Sequence, residues 1–298
     1  MAKLSADVIT SADIERYIST FSDFGFELAV LNTLASEGLH CRHAGTYEDP
    51  VTRKTREFDI QAETTPSKTN QRQAVVRLAI ECKNLRPNFP LVLHRVPRAD
   101  NEAFTDVVWS TKDSGTTFTI TRQYGHRIRL RGRRALYVSG EPVAKAADQV
   151  GKRADGELVT GDQDVFDRIS QALHSSHELL RLSHYASLHD SPDVFAAVIP
   201  LLVVPNDRLW AVDYDETGRV IAGPSPIKQA TYFVDRDWSF GGDATEVRTW
   251  YSLSHLEICE AGSVAQRVGQ LTVDPRLSIN TILEVFGEEA ERRRKKRE

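Results

Sequence analysis

REFDIQAETTPSKTNQRQAVVRLAIECKN, residues 56–84, carries the pattern that decides the fold. Two stretches of alternating character, REFDIQ and VVRLAIECKN, flank the polar segment TTPSKTNQ, which predicts two strands joined as a β-hairpin. Because side chains alternate along a strand, Asp59 faces away from its apolar neighbours, and Glu81 and Lys83 share one face of the second strand. We therefore expect Asp59 and Glu81 to meet across the ladder.

Two carboxylates held side by side repel each other unless a cation lies between them. Oxygen ligands of this kind suit Mg²⁺ or Mn²⁺, which bind phosphate oxygens and activate water. Lys83 lies in an apolar strand, where an ammonium needs a charged partner, and an adjacent lysine stabilises a negatively charged transition state. The alternative interpretation of Asp59, Glu81 and Lys83 is a cross-strand salt-bridge cluster on an exposed sheet face.

An acidic residue in the preceding helical segment supports the metal hypothesis. Glu27 lies three, four and seven residues before Val30, Leu31 and Leu34, so it shares the apolar face of a helix over 23–37. A carboxylate on a packing face needs a reason. A position above Asp59 and Glu81 is one such reason, and an ordinary amphipathic boundary residue is the other interpretation.

The rest of the chain predicts an α/β protein. We expect one elaborated domain over residues 1–298, with a core of 11–84 plus 141–215, a β-rich insertion at 85–138 and a C-terminal elaboration at 216–298. The apolar stretch FAAVIPLLVV is typical of a central strand of the same sheet. The predicted helices are 11–37 in two pieces, 141–153, 163–186 and 278–291, and the predicted strands are 39–47, 55–63, 73–83, 195–204 and 208–215.

Composition narrows the class of protein. The chain is 40% hydrophobic and 27% charged, which is typical of globular proteins. No run of 18 apolar residues appears, and the first residues lack an apolar leader, so no membrane segment and no secretory signal are predicted. Three scattered cysteines do not form a disulfide framework. These features predict a cytoplasmic protein.

The charge is unevenly distributed. The net charge is −4, but residues 1–134 carry a net +4 and the remainder carries −8. Within the positive part, Arg127, Arg129, Arg131 and Arg133 recur at every second position, as expected of a strand that follows a phosphate backbone. A solvated strand edge would show the same alternation, so both interpretations stay open.

The order helix with Glu, strand, strand with Asp, strand with Glu-x-Lys resembles the opening of the PD-(D/E)XK (restriction-endonuclease-like) superfamily, whose members are mostly metal-dependent nucleases. The resemblance implies a mixed-sheet αβββαβ core flanked by helices. It also implies that Asp59 and Glu81 bind the metal together with the backbone carbonyl of Cys82. Lys83 matches the catalytic lysine of the superfamily, and Glu27 matches its first-helix acid.

The function that follows from this resemblance is a Mg²⁺-dependent (or Mn²⁺-dependent) nuclease that hydrolyses DNA phosphodiester bonds, with a role in restriction or phage defence. Phe58 stands where the superfamily often has a proline before the metal-binding Asp. Homodimer formation is an open possibility, since many members cut both strands as dimers. The alternatives are an inactive nucleic-acid-binding or protein-interaction module of the same fold, and a nuclease directed at RNA.

Overall fold

The computed structural model describes residues 7–20, 22–112, 123–161, 163–185, 193–240 and 248–295. Within them the chain forms five α-helices and thirteen strands. The helices are α1 Ser11–Thr20, α2 Phe24–Ser36, α3 Gln163–His184, α4 Val264–Thr272 and α5 Ile279–Lys295. The strands are β1 His40–Glu48, β2 Thr55–Lys68, β3 Arg72–Cys82, β4 Leu91–Pro97, β5 Phe104–Lys112, β6 Gln123–Arg131, β7 Pro142–Lys152, β8 Leu158–Thr160, β9 Asp193–Val204, β10 Leu209–Tyr214, β11 Val220–Pro226, β12 Gln229–Phe240 and β13 Thr249–Glu260.

One large mixed sheet organises these elements. Its main path runs β1-β2-β3-β9-β13-β12-β7-β4-β10-β11, with β5 paired to β9, β6 paired to β5 and β8 paired to β7. β1, β2 and β3 are antiparallel neighbours, and β9 is parallel to β3 over eleven residue pairs. A parallel neighbour requires a crossover, and α3 lies between β3 and β9 along the chain. The predicted mixed α/β class is confirmed.

The sheet is covered on both faces. One face packs against α2, α4 and α5 in a cluster that includes Leu78, Ile80 and Cys82 of β3. The other face packs against α3 in two clusters, one of which includes Ala79. β3 and β9 are therefore buried on both sides, which explains their continuous apolar sequences. Asp59 and Glu81 lie on the face of the sheet that packs against α3, as the two-residue alternation of side chains along a strand predicts.

The predicted insertion contributes strands to the sheet. β4 pairs with β7 and β10, and β5 pairs with the N-terminal half of β9. The strands predicted at 195–204 and 208–215 lie in the same sheet as β2 and β3, although β10 is near the opposite edge. In the described ranges, no helix is both long enough and apolar enough to cross a bilayer.

One predicted helix is wrong, one predicted turn is too long and one helix was not predicted. Most of TTPSKTNQ, residues 64–71, continues β2 to Lys68, and residues 69–71 form the turn to β3. Residues 141–153, predicted as a helix, form β7, because pairing with β4 overrides the helical preference of an alanine-rich segment. Val143, Ala147 and Val150 recur at helical spacing, although they lie in a strand whose burial pattern is irregular. The helix α4 was not predicted, and it packs against α2 on the face opposite α3.

Candidate active site

Two carboxylates lie next to each other where β2 and β3 run side by side. Asp59 and Glu81 are the next residues along the ladder from the cross-strand pair Ile60–Ile80. Their side chains are close enough to affect each other's titration. Both are buried, and the Glu81 side chain is fully inaccessible. The Asp59 carboxylate is held in place by the backbone N–H of Cys82, which donates to Oδ2 at 2.8 Å. The predicted meeting of Asp59 and Glu81 is thus present in the structure.

Burial makes the charged form of Glu81 unfavourable. The pKa of Glu81 is raised well above its ordinary value, first by burial and then by the neighbouring Asp59 carboxylate. The Oε1 atom of Glu81 accepts no hydrogen bond among the described atoms, and a protonated Glu81 can donate to the Asp59 carboxylate. The pKa of Asp59 is also raised by burial, against the lowering effect of the Arg168 guanidinium. A buried acceptor without a donor is costly, so this atom is suited to a cation or a proton.

Arg168, on α3, is the positive charge nearest these carboxylates in the structure. Its Nη1 lies 3.3 Å from Asp59 Oδ1 and 3.4 Å from Glu81 Oε2, and its Nη2 lies 3.0 Å from Asp23 Oδ2. The longer two distances exceed those of a strong charge-assisted hydrogen bond, about 2.7–2.9 Å. Arg168 therefore balances the negative charge of these carboxylates but leaves part of their hydrogen-bonding capacity unused.

Asp23 connects the start of α2 to the end of β3. It precedes α2 but makes no side-chain cap of that helix. Its Oδ1 instead accepts the backbone N–H of Asn84 at 3.2 Å, and its Oδ2 lies 4.0 Å from Lys83 Nζ. The charged partner expected for Lys83 is thus Asp23, which also binds Arg168. Lys83 follows the last residue of β3 and remains partly exposed.

Glu27 lies in the first turn of α2 and points inward, as predicted. Its Oε2 is 3.3 Å from His43 Nε2 on β1. Burial raises the pKa of Glu27, the Asp59 carboxylate raises it further, and the His43 hydrogen bond opposes both. Glu27 is therefore within electrostatic reach of Asp59 and forms the outer part of the acidic cluster.

The donor set is compatible with Mg²⁺ or Mn²⁺. Asp59 and Glu81 offer carboxylate oxygens. Among these, Oε1 of Glu81 accepts no hydrogen bond from the described residues and is the atom best suited to bind a cation. The thiol of Cys82 packs in the α2 core, so only the backbone of this residue is near the carboxylates. In the part of the chain that the structure describes, no three His, Cys, Asp or Glu side chains are grouped as a complete ligand set. Mg²⁺ is commonly bound by one or two carboxylates with water and substrate phosphate as the other ligands.

The arginines predicted to contact phosphates do not form one row. Arg127 and Arg131 are exposed on β6, whereas Arg133 lies in the short 3₁₀ turn after the strand. Arg129 is half-buried and forms a two-point ion pair with Asp106 at 2.6 and 2.8 Å. Its guanidinium therefore has a structural partner, and a phosphate-binding surface on β6 would depend on the exposed members.

β6 is also remote from the acidic pair. β6 pairs with β5, β5 pairs with β9 and β9 pairs with β3, so β6 lies three strands away from the strand that carries Glu81. Neighbouring strands are about 4.8 Å apart, which gives a lateral separation of about 14 Å. The arginines and the carboxylates are therefore separate features of the surface, which only an extended ligand could contact together.

Two residues of the cluster, Asp23 and Arg168, were missed by the sequence-based interpretation. Asp23 resembled a helix cap, which is the commonest role of Asp at that position. Arg168 lies three residues after Val165 and next to Ile169, both buried, so it is a charged residue at the edge of a packing face. The same signal drew attention to Glu27 and could have identified Arg168.

Comparisons of this chain with protein-family models, with curated proteins and with solved structures found no significant match.

Proposed function

We propose that this protein is a Mg²⁺- or Mn²⁺-dependent nuclease that hydrolyses DNA phosphodiester bonds. The observation that carries the proposal is the buried pair Asp59 and Glu81, in which Glu81 Oε1 accepts no hydrogen bond from the described residues, with Lys83 directly after the strand that carries Glu81. Buried acids without a complete set of partners cost stability, and such arrangements cluster at functional sites.

The arrangement of the elements supports the same proposal. α2, β1, β2, β3, α3 and β9 follow the αβββαβ order of the restriction-endonuclease-like core, and the acids lie on the second and third strands. This order agrees with the resemblance that Asp59, Glu81 and Lys83 carry, with β4 to β8 inserted between β3 and α3. Fold alone does not establish an activity, so the site residues carry the functional argument.

Each residue has a distinct role in the proposed reaction. Asp59 and Glu81 would hold the cation, with the Cys82 carbonyl as the further ligand that the resemblance implies. The bound cation supplies Lewis-acid activation of water and neutralises charge on the phosphate. Lys83 is partly exposed and follows Cys82, and its Nζ lies 4.0 Å from Asp23 of the same cluster. Its ammonium would stabilise the charge that develops on the phosphate oxygens. Asp23 positions Lys83 and Arg168.

The test is the nicking of supercoiled plasmid in Mg²⁺, Mn²⁺ or EDTA. Lys83→Ala and Asp59→Asn should each lower the cleavage rate at least about 100-fold, the usual effect of removing one transition-state or ligand contact. Lys54→Ala, at an exposed lysine in the β1–β2 turn, is the matched control and should cleave like the wild type. Wild-type rates for Lys83→Ala or Asp59→Asn would refute the site. Single-stranded DNA and RNA substrates test the alternative of an RNA-directed nuclease.

A second candidate function rests on Arg168. Because its guanidinium already lies among Asp23, Asp59 and Glu81, the cluster is also compatible with an inactive nucleic-acid-binding or protein-interaction module held together by this ion network. Under that alternative no variant affects cleavage, since none occurs, and every substitution in the cluster lowers the melting temperature whether or not metal is present. Thermal melting in EDTA and in Mn²⁺ therefore separates the two functions.

A further inference from the structure

A pocket of about 380 Å³ opens beside the acidic cluster. Asp23 and Lys83 belong to both, so the pocket continues directly from the proposed cleavage site. Its remaining wall comes from the segment that follows β3 and from β7 and β8. The strands outside the αβββαβ order thus build a cavity next to the residues to which we assign catalysis.

The charge of this pocket favours an anion. Among the lining residues, Lys83, Arg86 and Lys152 are cationic and Asp23, which lies 4.0 Å from Lys83 Nζ, is anionic. Arg86 and Lys152 are on the solvent side, where a ligand enters. Cationic side chains that converge on one cavity are typical of phosphate recognition.

The remaining lining suits the other parts of a nucleotide. Asn84 and Asn88 offer amide donors and acceptors, which match a base edge or a sugar hydroxyl. Phe89 provides an aromatic wall. Its ring packs directly on Gly151, where an added Cβ would lie 2.6 Å from a ring carbon, so glycine at this position lets the ring lie against the backbone. The ring is therefore packed against β7.

We propose that this pocket binds one nucleotide of the substrate strand, adjacent to the phosphate that is cleaved. Arg86 and Lys152 bind the phosphate of this nucleotide, and its base lies against Phe89. The inference rests on the proposed nuclease function and extends it. The volume is at the lower end of the range for small-ligand sites, about 300–1,000 Å³, and accommodates a single nucleotide and not a duplex. The nucleotide must therefore be unpaired, as in a single strand, a frayed end or a flipped position.

The test begins with binding in EDTA, where no cleavage is required. The affinities of deoxyadenosine 5′-monophosphate, deoxyadenosine and inorganic phosphate are measured by titration calorimetry. The monophosphate should bind more tightly than either part, and Arg86→Gln and Lys152→Gln should each weaken its binding about 5- to 10-fold. Arg153→Gln is the matched control, because Arg153 is an exposed cation next in sequence to Lys152 that faces Glu157 and does not line the pocket.

Three results would overturn the inference: no binding of the monophosphate up to about 10 mM, equal binding of monophosphate and inorganic phosphate, or equal affinity in Arg86→Gln, Lys152→Gln and Arg153→Gln. Asn88→Trp, at an exposed position, obstructs the entrance without charge change and should also abolish binding. With single-stranded oligonucleotides, the pocket variants should raise KM and leave kcat unchanged. If the monophosphate binds and only the pocket variants weaken it, but no cleavage occurs, the pocket is supported and the nuclease function is refuted. If cleavage occurs and the pocket variants have the wild-type KM, the nuclease function is supported and the pocket is refuted.

Discussion

Arg168 offers the sharpest test of whether the acidic cluster is a metal site. In the structure its guanidinium is the counter-charge of Asp23, Asp59 and Glu81. Arg168→Gln removes that charge and leaves two buried carboxylates facing each other. Breaking a buried ion pair costs about 3–5 kcal/mol, and because the Arg168 side chain is 23% exposed we expect about 3 kcal/mol.

This energy converts into a measurable melting temperature. For 298 residues the entropy of unfolding is roughly 0.6 kcal/mol per kelvin, so a loss of about 3 kcal/mol lowers the melting temperature in EDTA by about 5 °C. A cation present at 100 times its dissociation constant restores about 2.7 kcal/mol, or about 4 °C. Because the guanidinium no longer competes for the carboxylates, Mn²⁺ should raise the melting temperature of Arg168→Gln more than that of the wild type.

The assay is thermal melting of both proteins across a Mn²⁺ titration. Arg267→Gln is the matched control: its guanidinium donates from Nε to Glu257 Oε2 at 3.0 Å, and its side chain is 19% exposed. Because Arg267 is on α4, which covers the face of the sheet opposite α3, the variant loses a comparable ion pair outside the cluster. That variant should be destabilised without recovery in Mn²⁺. If Mn²⁺ shifts Arg168→Gln and Arg267→Gln equally, the acids do not form a cation site and the reasoning fails.

Two further outcomes follow from the same structure. Because burial raises the pKa of Glu81 above its ordinary value of 4.5, the folded protein binds the extra proton, and stability in EDTA should fall as the pH rises from about 4.5 through the raised pKa. Glu81→Gln should flatten that decline in pH-dependent urea denaturation, and an unchanged slope would contradict the burial argument. For the arginines, Arg127→Gln with Arg131→Gln should reduce the salt dependence of DNA binding by up to about 1.8 units of slope, near 0.9 for each lost phosphate contact. Arg129→Gln should mainly lower the melting temperature, since Asp106 is its partner, and an unchanged salt slope in the double variant would make β6 an ordinary solvated edge.

The sequence pattern of residues 56–84 was sufficient to predict that Asp59 and Glu81 lie side by side. Side chains alternate along a strand with a period of two, so Asp59 and Glu81 were bound to face away from Ile60 and Ile80 once the hairpin formed. The hairpin itself follows from a polar segment between two strand-forming segments, although β2 continues through most of that segment to Lys68. These relations involve residues close in sequence, and short-range geometry is sufficient to specify them.

Helical periodicity was less decisive. α2 is apolar on more than one face: Phe24, Leu28, Leu31 and Leu34 recur at helical spacing, yet Phe24 and Leu28 are exposed. Val30 and Leu34 are the buried residues. The orientation of α2 depends on the surface of the sheet and on α4, neither of which a periodicity within 13 residues describes.

Only the tertiary structure decided the remaining features. Residues 142–152 form a strand because β4, about 50 residues earlier in the chain, provides a pairing edge. Arg168 reaches Asp59 across 109 residues and Glu81 across 87, and the pocket joins the end of β3 to β7 and β8. Contacts of this range depend on how complete elements pack and not on local preference, which is why the carboxylates could be predicted from the sequence while their counter-charge and the adjoining pocket could not.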